Sequence, residues 1–427
     1  MTTEDNATFH RRTAEGLMAR YTNSPHAPQD WREALAWHWE QAGAYAEAVE
    51  AILEITEARM TRLDFTSARR WTERALTLIE RLNNEQRSHY DLRAYAMALA
   101  VLEFGGQYRE GLDYARRMLG IAQARGNNEA TIRAYLSVGR MQRELGQLTS
   151  AEVVLQQARN LASTDDLSEL EAESRLHLAK VHQLQGRHLE ALQELQLAQE
   201  ESEQYDGRLL LARVFSSIGD IYRILGASRE AMSFYLRSLS LEQGRGSLLG
   251  QAMLRDKIAL SRLAQGKPND ALTDAKESLE LRQQINDVVG QARSHTVIGM
   301  ILQRLERYGE AAEELQQALT LEEQIQNPRG QGIALLHLGN ASRAQRKFEL
   351  ARSCYTRAVA VTRRDNDQLG LTRALTYSGD LAYEEGRREQ ANTYWVEALK
   401  IRDALHHADE AAELRERIRS GHIPRRN

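Results

Sequence analysis

The chain is poor in residues that cross-link or interrupt a fold. Among 427 residues there is one cysteine, Cys354, so no internal disulfide can form, which fits a reducing cytoplasm. The five prolines are Pro25, Pro28, Pro268, Pro328 and Pro424. With so few breakers and much Ala, Leu, Glu, Gln and Arg, the chain reads as mostly helix. No apolar run approaches bilayer-spanning length, and the acidic, polar start Met1-Thr2-Thr3-Glu4-Asp5 is not a signal peptide. Charge of one sign is lacking too: 56 basic against 60 acidic side chains leave −4, with no bulk pull toward nucleic acid or an anionic membrane. Lysine is scarce, six residues against 50 arginines. Either the genome favours arginine codons, or forked guanidinium groups are there to grip carboxylates or phosphates.

The motifs of catalysis are missing as well. The one Gly-Lys pair, Gly266-Lys267, is followed by Pro268 and not by the Ser or Thr of a phosphate-binding loop. There is no His-Glu-x-x-His and no cysteine pair for zinc. His177 and His182 stand five apart and share no helix face, so they read as surface histidines, as do His406 and His407. Cys354, beside Tyr355, reads as a buried structural thiol. The chain is expected to be no enzyme and to hold no metal or cofactor.

What is present is a period. Gly106, Gly146, Gly186, Gly226, Gly266 and Gly386 lie on a 40-residue step, with Glu306 and Arg346 at the two remaining positions. Five residues after each come Gly111, Ala151, Ala191, Ala231, Ala271, Ala311, Ala351 and Ala391. Twelve after come Met118, Ala158, Ala198, Ser238, Ser278, Ala318, Ala358 and Ala398. Seven before come Leu99, Gly139, Ala179, Gly219, Ala259, Gly299, Gly339 and Gly379. Small columns of this kind mark close helix approach, and the anchor glycine suits a tight turn. Each unit reads as two antiparallel helices. Leu211, Val214, Phe215, Ile218, Tyr222 and Leu225 form one apolar stripe, and Ala231, Tyr235, Ser238 and Leu239 the next. Pro268 falls at the start of a second helix and Pro328 in a loop between repeats.

Gly219, Tyr222, Gly226, Ala231, Tyr235 and Ser238 stand where the tetratricopeptide repeat has its Gly, Tyr, Gly, Ala, aromatic and Ala. The chain therefore resembles that family over roughly residues 90 to 405, in a 40-residue form longer than the usual period of about 34. Phrases such as Gly290-Gln291-Ala292-Arg293-Ser294 and His337-Leu338-Gly339-Asn340 are similar to the Pins-type adaptors and to the sensor arm of bacterial MalT-type ATPases. The resemblance implies an all-α fold, a right-handed α-solenoid whose first helices line a concave groove. Eight repeats are expected over 89–405, an atypical helical cap over 1–88, and a helix with a basic tail over 406–427.

In such a groove the exposed offsets hold Arg133, Arg140, Arg143, Arg213, Asp220, Arg223, Arg293, Asn340, Arg343, Arg373, Asp380 and Tyr383. The leading column is arginine in five of eight repeats: Arg93, Arg133, Arg213, Arg293 and Arg373. At 50 arginines in 427 residues, eight positions should hold about one. The resemblance to Pins-type adaptors implies that they hold an extended acidic peptide; the alternative is pairing with carboxylates on the adjacent repeat. Tyr222, Tyr235, Tyr355 and Trp395 read as core.

Ahead of the repeats, residues 9–17 read as one helix, Pro25 and Pro28 bracket a loop, and Asp30 is placed to cap a helix through Trp37 and Trp39. Those two side chains project about 200° apart, so one faces outward. The tryptophans serve either as a cap contact or as a docking surface. The expected function is a cytoplasmic, non-catalytic adaptor in signalling or regulation, bound to another protein and to neither nucleic acid nor membrane. A small-effector sensor, or a sensor arm serving a separate ATPase, is the alternative.

Overall fold

A helix that must reverse direction within three residues needs one of them in the left-handed region, and the chain meets this need every twenty residues. In the computed structural model, left-handed φ values between +53° and +80° recur at Gly106, Gly126, Gly146, Asp166, Gly186, Gly226, Gly246, Gly266, Asn286, Glu306, Gln326, Arg346, Asn366 and Gly386. Glu306 and Arg346 thus adopt the anchor geometry without glycine, at φ +58° and +59°. The structure describes residues 3–420 apart from 23, 25, 26, 29, 63, 205, 206 and 405–407. The reading of Pro25 as a loop residue, the pair His406-His407 and the basic tail fall outside the described residues.

The described residues form helices and no strands. The chain divides into two units, residues 1–225 and 226–427. The first holds α1 (Thr3–Tyr21), α2 (Trp31–Gln41), α3 (Tyr45–Thr61), α4 (Phe65–Ile79), α5 (Asn84–Phe104), α6 (Tyr108–Ala124), α7 (Asn128–Glu144), α8 (Leu148–Thr164), α9 (Ser168–Leu184), α10 (His188–Gln204) and α11 (Arg208–Ile224). The second holds α12 (Ser228–Gly244), α13 (Leu248–Ala264), α14 (Pro268–Gln284), α15 (Val288–Arg304), α16 (Tyr308–Gln324), α17 (Pro328–Ala344), α18 (Phe348–Arg364), α19 (Gln368–Glu384), α20 (Arg388–Ala404) and α21 (Ala408–Ser420). Within each unit every helix packs on the next in the chain, which makes an all-α solenoid of helix pairs.

The two turns of a repeat differ in chemistry. Before the first helices, Asn127, Ser247, Asp287, Asn327 and Asp367 accept a hydrogen bond from the backbone N–H three residues on. The second helices α6, α8, α12, α14, α16 and α18 lack such a side-chain cap. Pro268 is the first residue of α14, as its spacing suggests. Pro328 is the first residue of α17 and not a loop residue; its fixed φ and missing N–H cost nothing there. Asp30 precedes α2, but its side chain makes no cap bond.

The small columns are where neighbouring helices touch. Ala151, Ala191, Ala231, Ala271, Ala311, Ala351 and Ala391 are fully buried. The glycines seven before the anchor face a large residue nine after it. A Cβ on Gly139 or Gly299 would lie 2.5 Å from Leu155 or Leu315 Cγ, and one on Gly379 would lie 2.5 Å from Trp395 Nε1. Where that column carries Leu99 or Ala259, the position opposite shrinks to Ala115 or Ala275. Tyr235, Tyr355 and Trp395 are core residues, and Cys354 is buried, its thiol pushed up by burial. Leu225, the cap residue just after α11, departs from its expected stripe and is 51% exposed, and Tyr222 is only partly buried.

At the N-terminal end Trp31 and Trp39 pack with Ile52 and Leu53 of α3, while Trp37 points outward. Arg417 and Leu414 of α21 are buried, and Leu414 joins the cluster around Trp395.

Candidate functional site: the first-helix face

The first helices touch one another as well as their own second helices: α7, α9 and α11 in the first unit, and α13, α15, α17 and α19 in the second. Each row offers one stripe that reaches solvent, led by an exposed or half-buried residue and continued mostly by half-buried ones. In α15 that stripe is Arg293, Thr296, Met300 and Gln303, at i, i+3, i+7 and i+10, while Ala292, Ser294, Ile298 and Gly299 face inward.

In the first unit the arginines on this stripe are mostly satisfied from within. Arg93 pairs with Glu50 at 2.8 Å, Arg140 with Glu103 at 3.3 Å and Arg213 with Glu173 at 3.2 Å, each across to the preceding repeat or helix pair. Arg133 pairs with Glu129 of its own helix at 3.0 Å, and Arg143 with Glu144 at 2.5 Å. Arg143 and Arg213 also approach the two ring nitrogens of His177, each at 3.4 Å. His177 and His182 are buried, which corrects their reading as surface residues. Burial holds His177 well below the ordinary imidazole range, and Lys180, Arg213 and Arg140 press the same way. Asp220 is partly buried, and Arg223 is exposed with no ion pair among the described residues.

The second unit differs. Arg293 and Arg373 are exposed, and neither makes an ion pair among the described residues. In the same column, one repeat apart, stand Met253 at 43% and Ile333 at 39% exposure. The column therefore alternates apolar, cationic, apolar, cationic along α13, α15, α17 and α19. Beside it, His337 is pushed down to about 4 by burial and by the Arg373 charge, so it presents a neutral ring at physiological pH.

Further along the stripe the groups are bound to one another. Asn340 accepts from the Tyr355 hydroxyl at 2.7 Å. Arg343 bonds Glu384 at 2.8 Å and stands 4.0 Å from Asp380. Asp380 is buried, accepts from Trp395 Nε1 at 3.1 Å, and lies 3.5 Å from Arg417 of α21; burial raises its pKa. Tyr383 sits with its ring 5.9 Å from that of Trp395. The expected site residues thus separate into an internally paired set and an exposed one.

Sequence reasoning missed the polar column sixteen residues after the anchor: Glu242, Arg282, Glu322 and Arg402. Arg282 is 2% exposed and bonds Asp256 at 2.8 Å and Asp287 at 2.9 Å. Burial raises Glu322 to about 7, against an Asn327 hydrogen bond at 2.8 Å and the Arg293 charge. A signal existed, since Gly250, Gly290 and Gly330 lie eight residues beyond these side chains. A Cβ at Gly290 would collide with Arg282 and Asp287, and at Gly330 with Glu322.

Residues 170–242 and 250–324 match the tetratricopeptide repeat family. No curated protein matches the chain. Among solved structures, the chain is similar to a signal-transduction ATPase with numerous domains from Pyrococcus horikoshii, which has a tetratricopeptide repeat sensor. The identity is 14% and the TM-score 0.55, over 96% of this chain and 65% of that one. It is also similar to the apo form of the quorum sensor NprR from B. thuringiensis, at 14% identity and TM-score 0.53, over 84% of this chain and 99% of that one. At these identities the likeness is one of fold. Among the described residues no helix is long and apolar enough to cross a membrane, and no three metal-ligating side chains converge.

Proposed function

This chain carries tetratricopeptide repeats, and we propose that it is a non-catalytic scaffold whose second unit recognises a partner protein through the first-helix face of α13, α15, α17 and α19. One observation supports this reading above the rest. Of the five arginines in the leading column, Arg93, Arg133 and Arg213 are held by carboxylates of the chain, while Arg293 and Arg373 stand exposed with none. An exposed guanidinium with no partner keeps its planar fork of donors available for a carboxylate or phosphate. Met253 and Ile333 add apolar area on the same line.

An acidic, extended segment of a partner fits such a face, and a role in cytoplasmic signalling or regulation follows from the same reading. Nine of the twelve groove residues divide accordingly. Arg293 and Arg373 are the contact residues, and Arg223, in a different column, is an exposed arginine of the first unit. Arg140, Arg143, Arg213, Arg343, Asn340 and Asp380 hold the helices in register. The test is capture of partners from the native lysate on the wild-type chain and on the Arg293→Glu, Arg373→Glu double variant. Partners retained by the wild type and lost from the variant, at unchanged melting temperature, support the reading. Equal retention contradicts it.

A further inference from the structure

Within the reading of that face as a peptide-recognition surface, the spacing of its exposed column carries more information than its charge. We infer that the second unit takes an extended segment in which two acidic residues stand about six apart with an apolar residue midway between them. First helices packed side by side are separated by about 8–10 Å per step. An extended chain advances about 3.3 Å per residue, so it crosses one repeat in about three residues. Arg293 and Arg373 are two repeats apart, and Ile333 lies on the repeat between them. Met253, one repeat before Arg293, adds an apolar position about three residues outside the acidic pair.

The chemistry at each step is set by what the chain leaves unmet. Arg293 and Arg373 are exposed, and no carboxylate among the described residues lies within ion-pair distance of either. Two nearby acids, Asp256 and Glu322, feel the Arg293 charge but spend their hydrogen bonds elsewhere. Asp256, buried against Arg282, and Glu322, bonded to Asn327, are turned into the interior. Ile333 and Met253 present apolar side chains of 39% and 43% exposure on the same column as the two arginines. His337, four residues after Ile333 on the same helix, adds no cation at neutral pH. The column is thus a ruler with two cationic and two apolar marks.

A helical ligand would give a different answer from the same marks. At about 1.5 Å of rise per residue, the two acidic positions would stand about 11 to 13 residues apart. The spacing itself therefore decides the conformation of the bound segment.

The test is selection of a random sixteen-residue peptide library displayed on phage against the full chain. Subtraction on the Arg293→Gln, Arg373→Gln double variant follows; Gln removes the charge and keeps the length. The expected outcome is enrichment of Asp or Glu pairs five to seven apart with Leu, Ile, Val, Met or Phe midway. Synthetic peptides of that pattern should lose about tenfold or more in affinity when either acid becomes Asn or Gln. They should lose as much when two residues are inserted between the acids. Enrichment of acidic peptides at a spacing of 11 to 13, or at no fixed spacing, overturns the ruler while leaving peptide recognition standing. Peptides that bind wild type and variant equally, or no enrichment at all, overturn both.

Discussion

Gly379 lies against the indole of Trp395 so closely that a Cβ on it would stand 2.5 Å from Nε1. This contact joins α19 to α20, and the same pairing of a small residue with a large one recurs at Gly139 with Leu155 and Gly299 with Leu315. Gly379→Ala should therefore destabilise the second unit by about 1–3 kcal/mol, through overpacking against a rigid ring. Gly299→Ala should cost less, because the small branched end of Leu315 can yield more easily than a buried, rigid indole. Denaturant titrations of the two variants check the order. No cost in either would mean that these columns are not the close-approach positions, and equal costs would contradict the predicted order.

Glu306 and Arg346 hold left-handed φ where the other anchors of the period are glycine. A side chain in that region costs about 1–2 kcal/mol, partly offset by the lower backbone entropy that a non-glycine loses on folding. Glu306→Gly and Arg346→Gly should each stabilise the chain by about 0.5–1 kcal/mol. Thermal melts read the change, and a lowered melting temperature in both would contradict the turn geometry.

Glu322 adds a pH dependence of defined sign. Its folded pKa of about 7 lies above its ordinary value of 4.5, so the folded state favours the protonated carboxyl. Its contribution is fully present below about pH 4.5 and is lost as pH rises through 7. Glu322→Gln should thus gain stability at pH 8, by up to about 3 kcal/mol, and change little at pH 4. Unfolding of wild type and variant at both pH values tests this. A variant less stable at pH 8 would mean that the carboxylate is charged and needed.

Arg282 between Asp256 and Asp287 is the counterpart with charge retained. Arg282→Met leaves two buried carboxylates uncompensated and should cost about 3–5 kcal/mol. Hydrogen exchange should show the loss concentrated in α13 to α15; a cost below 1 kcal/mol would mean that water reaches the cluster.

The repeat was legible because its cause is local. A left-handed turn and a close helix contact each restrict one position, so Gly266, Ala271 and Ser278 recur in register. Two features escaped that logic. The turn between repeats is also left-handed, but Asp166, Asn286, Gln326 and Asn366 share its duty with Gly126 and Gly246, so no single residue type marks the column. The groove arginines look alike in sequence, yet Arg213 has Glu173 and Arg293 has no such partner, because residue 253 on the preceding repeat is Met where residue 173 is Glu. Whether an arginine is paired depends on a residue forty positions away, and its own helix does not reveal it. His177 and His182 were misplaced for a related reason: a polar side chain at a helix–helix contact carries no mark in the apolar pattern.

The most direct test of the recognition account compares two pairs of charge reversals in one experiment, with a peptide or partner that binds the wild type. Arg293→Glu with Arg373→Glu should weaken binding by two orders of magnitude or more, at about 1.5–3 kcal/mol per lost charge-assisted contact. Its melting temperature should stay at the wild-type value. Arg140→Glu with Arg213→Glu should do the reverse, since both arginines are paired with carboxylates of the chain, at 3.3 and 3.2 Å. Affinity and melting temperature measured together on both variants decide the matter. Undiminished affinity in the Arg293, Arg373 variant would contradict the account.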